Sequence, residues 1–289
     1  MTEPKITPGF NDESAAARPD AMSAAEYDEA FAKMARDYFS GREASDPPKL
    51  FYVTGLPGSG KSTFVAKAKQ GRPGLEDYVH VNFDDLRVYH PRYAEHVEKD
   101  PVNAAARIDT AVERLIGWLT EEAAKRHLNV LLDDAAMGGE ITKMILSPFQ
   151  KEGYGIEAAV VAVPSSIARQ AVHLRFEENL AAAKEGAPVI PRWVNTEEQD
   201  NAPAALVETV ETIAEEKLAG KITVLDRGGR MLYPQDGVSP GGAVKSETTR
   251  ELNASEKADY RQKAERIAGF VNRRAKPAGS GPKTAPPAL

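Results

Sequence analysis

The sequence predicts an α/β fold: a parallel sheet sandwiched between helices, extended by further helices at both ends. Short apolar runs alternate with longer stretches of helical periodicity between residues 49 and 218, the pattern of successive βα units. A glycine-rich segment, GLPGSGKS, joins the first apolar run to the first helical one. Two later runs are followed by paired acids, Asp84-Asp85 and Asp133-Asp134, and open α/β sheets gather their ligands at such carboxyl ends.

Taken in order, the elements begin at Ser23, a suitable N-cap with Glu26 three residues on. Ala25, Tyr27, Ala30, Phe31, Met34, Ala35 and Tyr38 then recur at helical spacing. Asp46-Pro47-Pro48 breaks the chain, and Lys49–Thr54 reads as a buried strand. Helix 61–70, strand 78–83, helix 103–126, strand 129–133, helix 140–152 and strand 156–163 continue the alternation. Helical stretches at 166–184 and 196–218 follow, separated by the irregular GAPVIPRWV. Ile222–Asp226 and Met231–Tyr233 flank Arg227-Gly228-Gly229-Arg230 and read as a strand pair with a glycine turn. Residues 235–253 are polar, and 254–272 forms a last charged helix whose Arg261, Lys263, Arg266, Arg273 and Arg274 belong to a solvated face. Trp118 is expected in the core, and Trp193 in packing near the irregular segment.

This divides the chain into an N-terminal extension with an amphipathic helix (1–45), an α/β domain (46–235) and a C-terminal helix and tail (236–289). Residues 1–20 and the tail from Lys276 are polar and rich in proline or glycine, and are expected not to pack. With 289 residues and 42% hydrophobic content the chain builds a sizeable core. A formal net charge of −6 argues against nucleic acid as a partner, and the absence of cysteine excludes disulfides and thiolate metal sites. No basic start with an apolar run opens the chain, and no stretch approaches the roughly 20 apolar residues of a membrane span. A cytoplasmic protein with no membrane partner is expected.

Gly55-Leu56-Pro57-Gly58-Ser59-Gly60-Lys61-Ser62 fits G-x-x-x-x-G-K-[ST], after a predicted strand and before a predicted helix, as a phosphate-binding P-loop requires. Glycines let backbone N–H groups converge on phosphate oxygens, and the helix N-terminus adds partial positive charge. Gly55, Pro57, Gly58, Ser59, Gly60, Lys61, Ser62 and Thr63 are therefore the expected contacts of ATP or GTP. Lys61 would bridge the β and γ phosphates, and Ser62 would offer its hydroxyl to Mg²⁺. An ordinary glycine turn is the alternative, and the strand–loop–helix context weighs against it.

Asp84 or Asp85 lies at the carboxyl end of the second strand, where a carboxylate could take the proton of an alcohol acceptor; spacing alone leaves helix capping open for either. Arg87 could hold a phosphate of donor or acceptor, or be a solvated helix charge. His90 before Pro91 reads as a structural turn residue. Asp133 is a candidate Mg²⁺ partner, with capping of the next helix equally open, and Asp133 and Asp134 are expected to face the substrate.

These residues resemble the zeta toxin family, P-loop small-molecule kinases of toxin–antitoxin systems. The likeness covers about 50–233 and rests on GLPGSGKST at 55–63, NFDDLRVYHPRY at 82–93, the apolar strand ending in an acid at 129–133, and DRGGRMLY. It implies a P-loop kinase-like fold and transfer of phosphate from ATP to the 3′-hydroxyl of UDP-N-acetylglucosamine. Alignment on His90-Pro91 puts the family's base on Asp84, and its two triphosphate-gripping lid arginines on Arg175 and Arg192. An antitoxin, or an extension such as 1–45, is implied as the inhibitor that covers the nucleotide site. Where the family carries an acid, Gly-Thr and further polar residues against the sugar nucleotide, this chain reads Asp133-Asp134-Ala135-Ala136-Met137. Relatives that act on NAD or antibiotics make those acceptors alternatives, and a regulatory NTPase switch is a third reading.

Overall fold

The computed structural model describes residues 21–187, 189 and 191–275. The sequence expectations for residues 1–20 and for the tail from Lys276 lie outside them. Six strands form one sheet: β1 (Lys49–Gly55), β2 (Val79–Asn82), β3 (Val130–Ala135), β4 (Gly155–Val161), β5 (Lys221–Leu225) and β6 (Met231–Tyr233). Their order is β2-β3-β1-β4-β5-β6. Every neighbouring pair is parallel except the antiparallel β5/β6 hairpin. Asp226 and Arg230 close that hairpin, and Gly229 takes the left-handed turn position at φ +91°.

The helices are α1 (Ala24–Phe39), α2 (Lys61–Gly71), α3 (Phe83–Leu86), α4 (Tyr93–Lys99), α5 (Ala104–Lys125), α6 (Gly139–Lys151), α7 (Ser165–Lys184), α8 (Thr196–Glu215), α9 (Pro240–Thr249) and α10 (Ala254–Ala275). They cover both faces of the sheet, as the nearly continuous apolar strands require. Along β1 alternate residues divide between the two layers. Leu50 and Tyr52 join α1, α5 and α6, whereas Phe51 and Val53 meet Val65 of α2.

Helix α1 is built into the main core. Ser23 and Glu26 form its capping box, and Ala30, Phe31 and Met34 are buried. Trp118 of α5 stacks on Phe31 with ring centroids 4.6 Å apart. The described part of the N-terminal extension is therefore continuous with the α/β domain.

Residues past 235 also pack on the sheet and its helices. In α9, Ala243 and Val244 pack with Leu206 and Val210 of α8 and Val224 of β5. This helix escapes the sequence pattern because it buries small or polar residues: Gly241, Glu247 and Thr248 beside Ala243 and Val244. A Cβ at Gly241 would stand 2.2 Å from Oε1 of Glu211, so close approach to α8 selects glycine there. Ser239 as N-cap and Pro240 in the first turn are the start signals that the sequence does carry.

Candidate active site

The chain leaves β1 at Gly55, turns through residues 56–60 and enters α2 at Lys61, with left-handed Gly60 (φ +98°) at its N-cap. Gly58, at φ +80°, lies so close to α7 that a Cβ would sit 2.3 Å from the carbonyl oxygen of Ala168. Buried Leu56 anchors the loop from below, and its carbonyl accepts from the Ser59 N–H at 3.0 Å. Lys61 Nζ donates to the carbonyl oxygens of Gly55 (2.9 Å) and Leu56 (3.1 Å). Burial pulls its ammonium down to about 8, against the attraction of Asp133 and Asp134.

Directly beside β1, the end of β3 pairs Asp133 with Val53 and Asp134 with Thr54. Both acids are buried strand residues. Capping is excluded for Asp133, since α6 begins at Gly139 with Gly138 as its cap residue. Asn82 links β2 to this edge: its Nδ2 donates to Asp133 Oδ2 at 3.2 Å, and its Oδ1 accepts from the Asp84 N–H at 2.9 Å. Asn82 thus caps α3, a task the spacing had left to Asp84 or Asp85.

Burial pushes the Asp134 carboxyl up to about 7. Asp133 Oδ1, Asp134 Oδ2, Thr54 Oγ1 and Ser59 Oγ are buried without hydrogen-bond partners among the described residues. Orphaned oxygens of this kind are costly. Two of them, on Asp133 and Asp134, belong to residues that line the cleft beside the phosphate loop, and suit a hydrated cation. Among the described residues no three acidic or imidazole groups form a metal cage of their own. The donor set therefore fits Mg²⁺, which is usually held by one or two protein groups plus phosphate oxygens.

Asp84 lines the cleft above α3, whereas Asp85 does not. Arg87 Nη1 donates to Asp84 Oδ1 at 2.5 Å, and Arg192 Nη1 pairs with Oδ2. Arg87 is only 6% exposed, and its Nε and Nη2 reach Asp109 Oδ1 of α5 at 3.1 and 2.9 Å. Arg192 lies in the segment between α7 and α8; burial draws it down to about 10, so it stays cationic at neutral pH. Arg175 of α7 lines the same cleft and has no ion-pair partner among the described residues. Trp193, beside Arg192, packs edge-on against Phe176 and His173 of α7, at 5.2 and 5.4 Å. Helix α10 braces α7 from behind, where Gln170 Nε2 donates to the Tyr260 carbonyl at 2.6 Å and Arg274 pairs with Glu177 at 3.0 Å.

One cleft of about 610 Å³ collects Pro57, Gly58, Gly60, Lys61, Ser62, Thr63, Asp84, Arg87, Asp133, Asp134, Arg175 and Arg192. Gly55 and Ser59 lie outside the lining, and a Cβ at Gly55 would stand 2.5 Å from the Val161 carbonyl oxygen. His90 is buried in the turn after α3, where its Nδ1 accepts from the Arg92 N–H at 3.2 Å. Sequence reasoning missed Asn82, Asp109, Glu113 and Arg227 as lining residues. Arg227 stands in the β5/β6 turn with Nε 3.4 Å from where a Gly60 Cβ would be. Only its place in the glycine turn hinted at a special role, and the α5 acids carried no local signal at all.

The cleft is also lined by Val102, Ala105 and Ala106 before and within α5, and by Ala135, Ala136 and Met137 at and after the end of β3. Asp109 and Glu113 line it as well.

Strand order, loop and buried acids together define a P-loop kinase fold. The chain belongs to the zeta toxin family, whose model, described as Zeta toxin, matches residues 35–237. Among solved structures it is similar to a chain from the PezAT chromosomal toxin–antitoxin system of the human pathogen Streptococcus pneumoniae. That match has a TM-score of 0.70 and 17% identity, covering 87% of this chain and 99% of the other. It is also similar to a chain of AvrRxo1-ORF1:-ORF2 solved with ATP, with a TM-score of 0.51 and 13% identity, covering 94% and 92%. At these identities the likeness is one of fold. No curated protein matches the sequence.

Proposed function

We propose that the chain is an ATP-dependent small-molecule kinase that phosphorylates the 3′-hydroxyl of UDP-N-acetylglucosamine and acts as the toxin of a toxin–antitoxin system. The observation that carries this reading is Asp84, an acid held by two arginines in the same cleft as the P-loop. A loop alone would serve any nucleotide switch. A carboxylate in the same cleft, at the β2/α3 junction two strands away, adds a group able to take the acceptor's proton.

In this mechanism the loop amides and Lys61 hold the β and γ phosphates, and Arg175 and Arg192 balance charge on the equatorial oxygens as the phosphoryl group moves. Asp84 accepts the proton of the attacking hydroxyl. Ser62 would hold Mg²⁺, with Asp133 behind it, and the cation neutralises charge on the transferred group when bound. The cradle reads phosphates, so GTP could replace ATP. The similar AvrRxo1-ORF1:-ORF2 chain was solved with ATP, which supports nucleotide use by this fold.

Likeness to a chain of the PezAT toxin–antitoxin system supports an antitoxin protein as partner. Inhibition by the N-terminal helix finds less support, since α1 faces α5 and the core and lines no part of the cleft. Removal of residues 1–45 is expected to lower the thermal midpoint rather than raise activity, because Phe31 and Met34 leave the core with it. A stable and more active truncated chain would reverse that view.

Ala135 and Ala136 favour a second reading in which the acceptor is another molecule, NAD or an antibiotic, because a site that discriminates by hydrogen bonds needs groups to make them. Labelled ATP offered with UDP-N-acetylglucosamine, other nucleotide sugars, NAD and an aminoglycoside separates these readings. UDP-N-acetylglucosamine is expected to take the label. Asp84→Asn should lower kcat by about 10²- to 10⁴-fold with ATP affinity unchanged. Continued ATP hydrolysis by Asp84→Asn with no acceptor labelled by the wild type would instead favour an NTPase switch.

A further inference from the structure

We infer that Arg87 and Asp109 form a positioning pair for Asp84, holding one oxygen of its carboxylate so that the other faces the cleft. The inference rests on the reading of Asp84 as the base. Arg87 sits where a phosphate-binding arginine could be expected, but its guanidinium is spent on protein. Nη1 goes to Asp84 Oδ1 at 2.5 Å, and Nε and Nη2 go to Asp109 Oδ1 at 3.1 and 2.9 Å. Its planar head lies 5.2 Å from the centre of the Phe83 ring. At 6% exposure, a guanidinium with this many fixed contacts has little freedom to turn towards a ligand.

The two arginines on Asp84 differ in kind. Arg87 comes from the turn that directly follows α3 and is backed by a second carboxylate on α5, so it moves only if α5 does. Arg192 comes from the segment between two helices, and its side chain keeps 23% of its exposure. The Asp84 N–H is fixed as well, by Asn82 Oδ1 at 2.9 Å. Main chain and Oδ1 are thus both anchored, which leaves Oδ2 as the oxygen that can exchange Arg192 for an acceptor hydroxyl. The proton leaves that hydroxyl for Oδ2 while Arg87 keeps its bond to Oδ1. Misplacing a reacting group by about 1 Å costs about 10²-fold in rate, so fixing the carboxylate is worth much of that factor.

Asp109 has two tasks in this arrangement. It fixes the plane of the guanidinium, and it supplies a second negative charge to a cation that burial would otherwise leave undercompensated. It acts on the reaction through Arg87 and not by touching the acceptor. Nothing in the local sequence marks it, because its partner lies 22 residues earlier.

The test uses the full chain and follows ATP turnover with UDP-N-acetylglucosamine, and separately with water as the default acceptor. Asp109→Asn and Arg87→Lys are each expected to lower kcat about tenfold in either reaction, with ATP Kd and the KM for UDP-N-acetylglucosamine within about twofold. Asp84→Asn/Asp109→Asn should be no slower than Asp84→Asn, because residues that act through one group are not additive. A raised KM at unchanged kcat for Asp109→Asn would make Asp109 a substrate contact and overturn the inference. So would losses that multiply in the double variant. Wild-type turnover by Asp84→Asn would reject the base itself, whereas an inactive Asp84→Asn beside a fully active Asp109→Asn rejects the pair alone. Thermal unfolding checks each variant, and Asp109→Glu, which keeps the charge, carries the same comparison if Asp109→Asn does not fold.

Discussion

The phosphate loop is one continuous stretch, residues 57–63 of the cleft, whereas the rest of the cleft is assembled from β3, α3, α5, α7 and the segment before α8. Each residue of the loop is constrained by its neighbours in sequence. Glycines permit the turn, the helix start supplies N–H groups, and Lys61 is the first residue of α2. The rest of the cleft is held by long-range pairs such as Arg87 with Asp109 and Asn82 with Asp133. A continuous motif tolerates little change, while an assembled wall can be altered one side chain at a time.

The sharpest break in this comparison is expected at Lys61. Lys61→Met should lower phosphoryl transfer by about 10³-fold, since a preorganised donor to developing charge is lost. Among the described residues its ammonium donates hydrogen bonds to two loop carbonyls and to no side chain, so the thermal midpoint should move little. Transfer assays and calorimetry on the same sample check both halves of that statement. A large drop in stability with modest loss of rate would give Lys61 a structural role instead.

Gly58→Ala should act less strongly and through the backbone. The new Cβ must clear a carbonyl oxygen 2.3 Å away while occupying φ +80°, so either the loop or α7 shifts. Strain of this kind costs about 1–3 kcal/mol, and ATP affinity should fall by about 5- to 150-fold. Titration calorimetry with ATP reads the effect. Unchanged affinity would mean that the loop is adaptable and that the contrast with the assembled wall is overdrawn.

How far the site could be seen in the sequence follows the same division. The P-loop and the parallel βα order were legible because a motif of eight residues and the periodicity of each element are local properties. Asp84 could be told from Asp85 only through the family resemblance; in the structure Asn82 caps α3, and Asp84 lines the cleft whereas Asp85 does not. Arg87 reads from sequence as a phosphate ligand or a solvated charge. The structure turns it to Asp84 and Asp109, and no local pattern announces a partner on another helix. Arg227 and α9 were hidden for related reasons. One reaches the loop only through the β5/β6 turn, and the other packs by smallness instead of apolarity.

The smallest expected effect is also the one that bears most directly on the acceptor. Ala135 ends β3 beside Gly55 and lines the same cleft as Asp84, so a hydroxyl there faces the space open to an acceptor. Ala135→Ser adds one oxygen and little volume. A single new neutral hydrogen bond contributes about 0.5–1.5 kcal/mol, which corresponds to a factor of about 2–12. If the acceptor is UDP-N-acetylglucosamine, its KM should fall by that factor while kcat stays within twofold, because binding improves equally in ground and transition states. If the natural acceptor presents an apolar face to this position, the buried hydroxyl lacks a partner and KM should rise by a similar factor. Parallel measurements with UDP-N-acetylglucosamine and NAD decide between the two, since only an acceptor that meets position 135 with a polar group can respond with a lower KM.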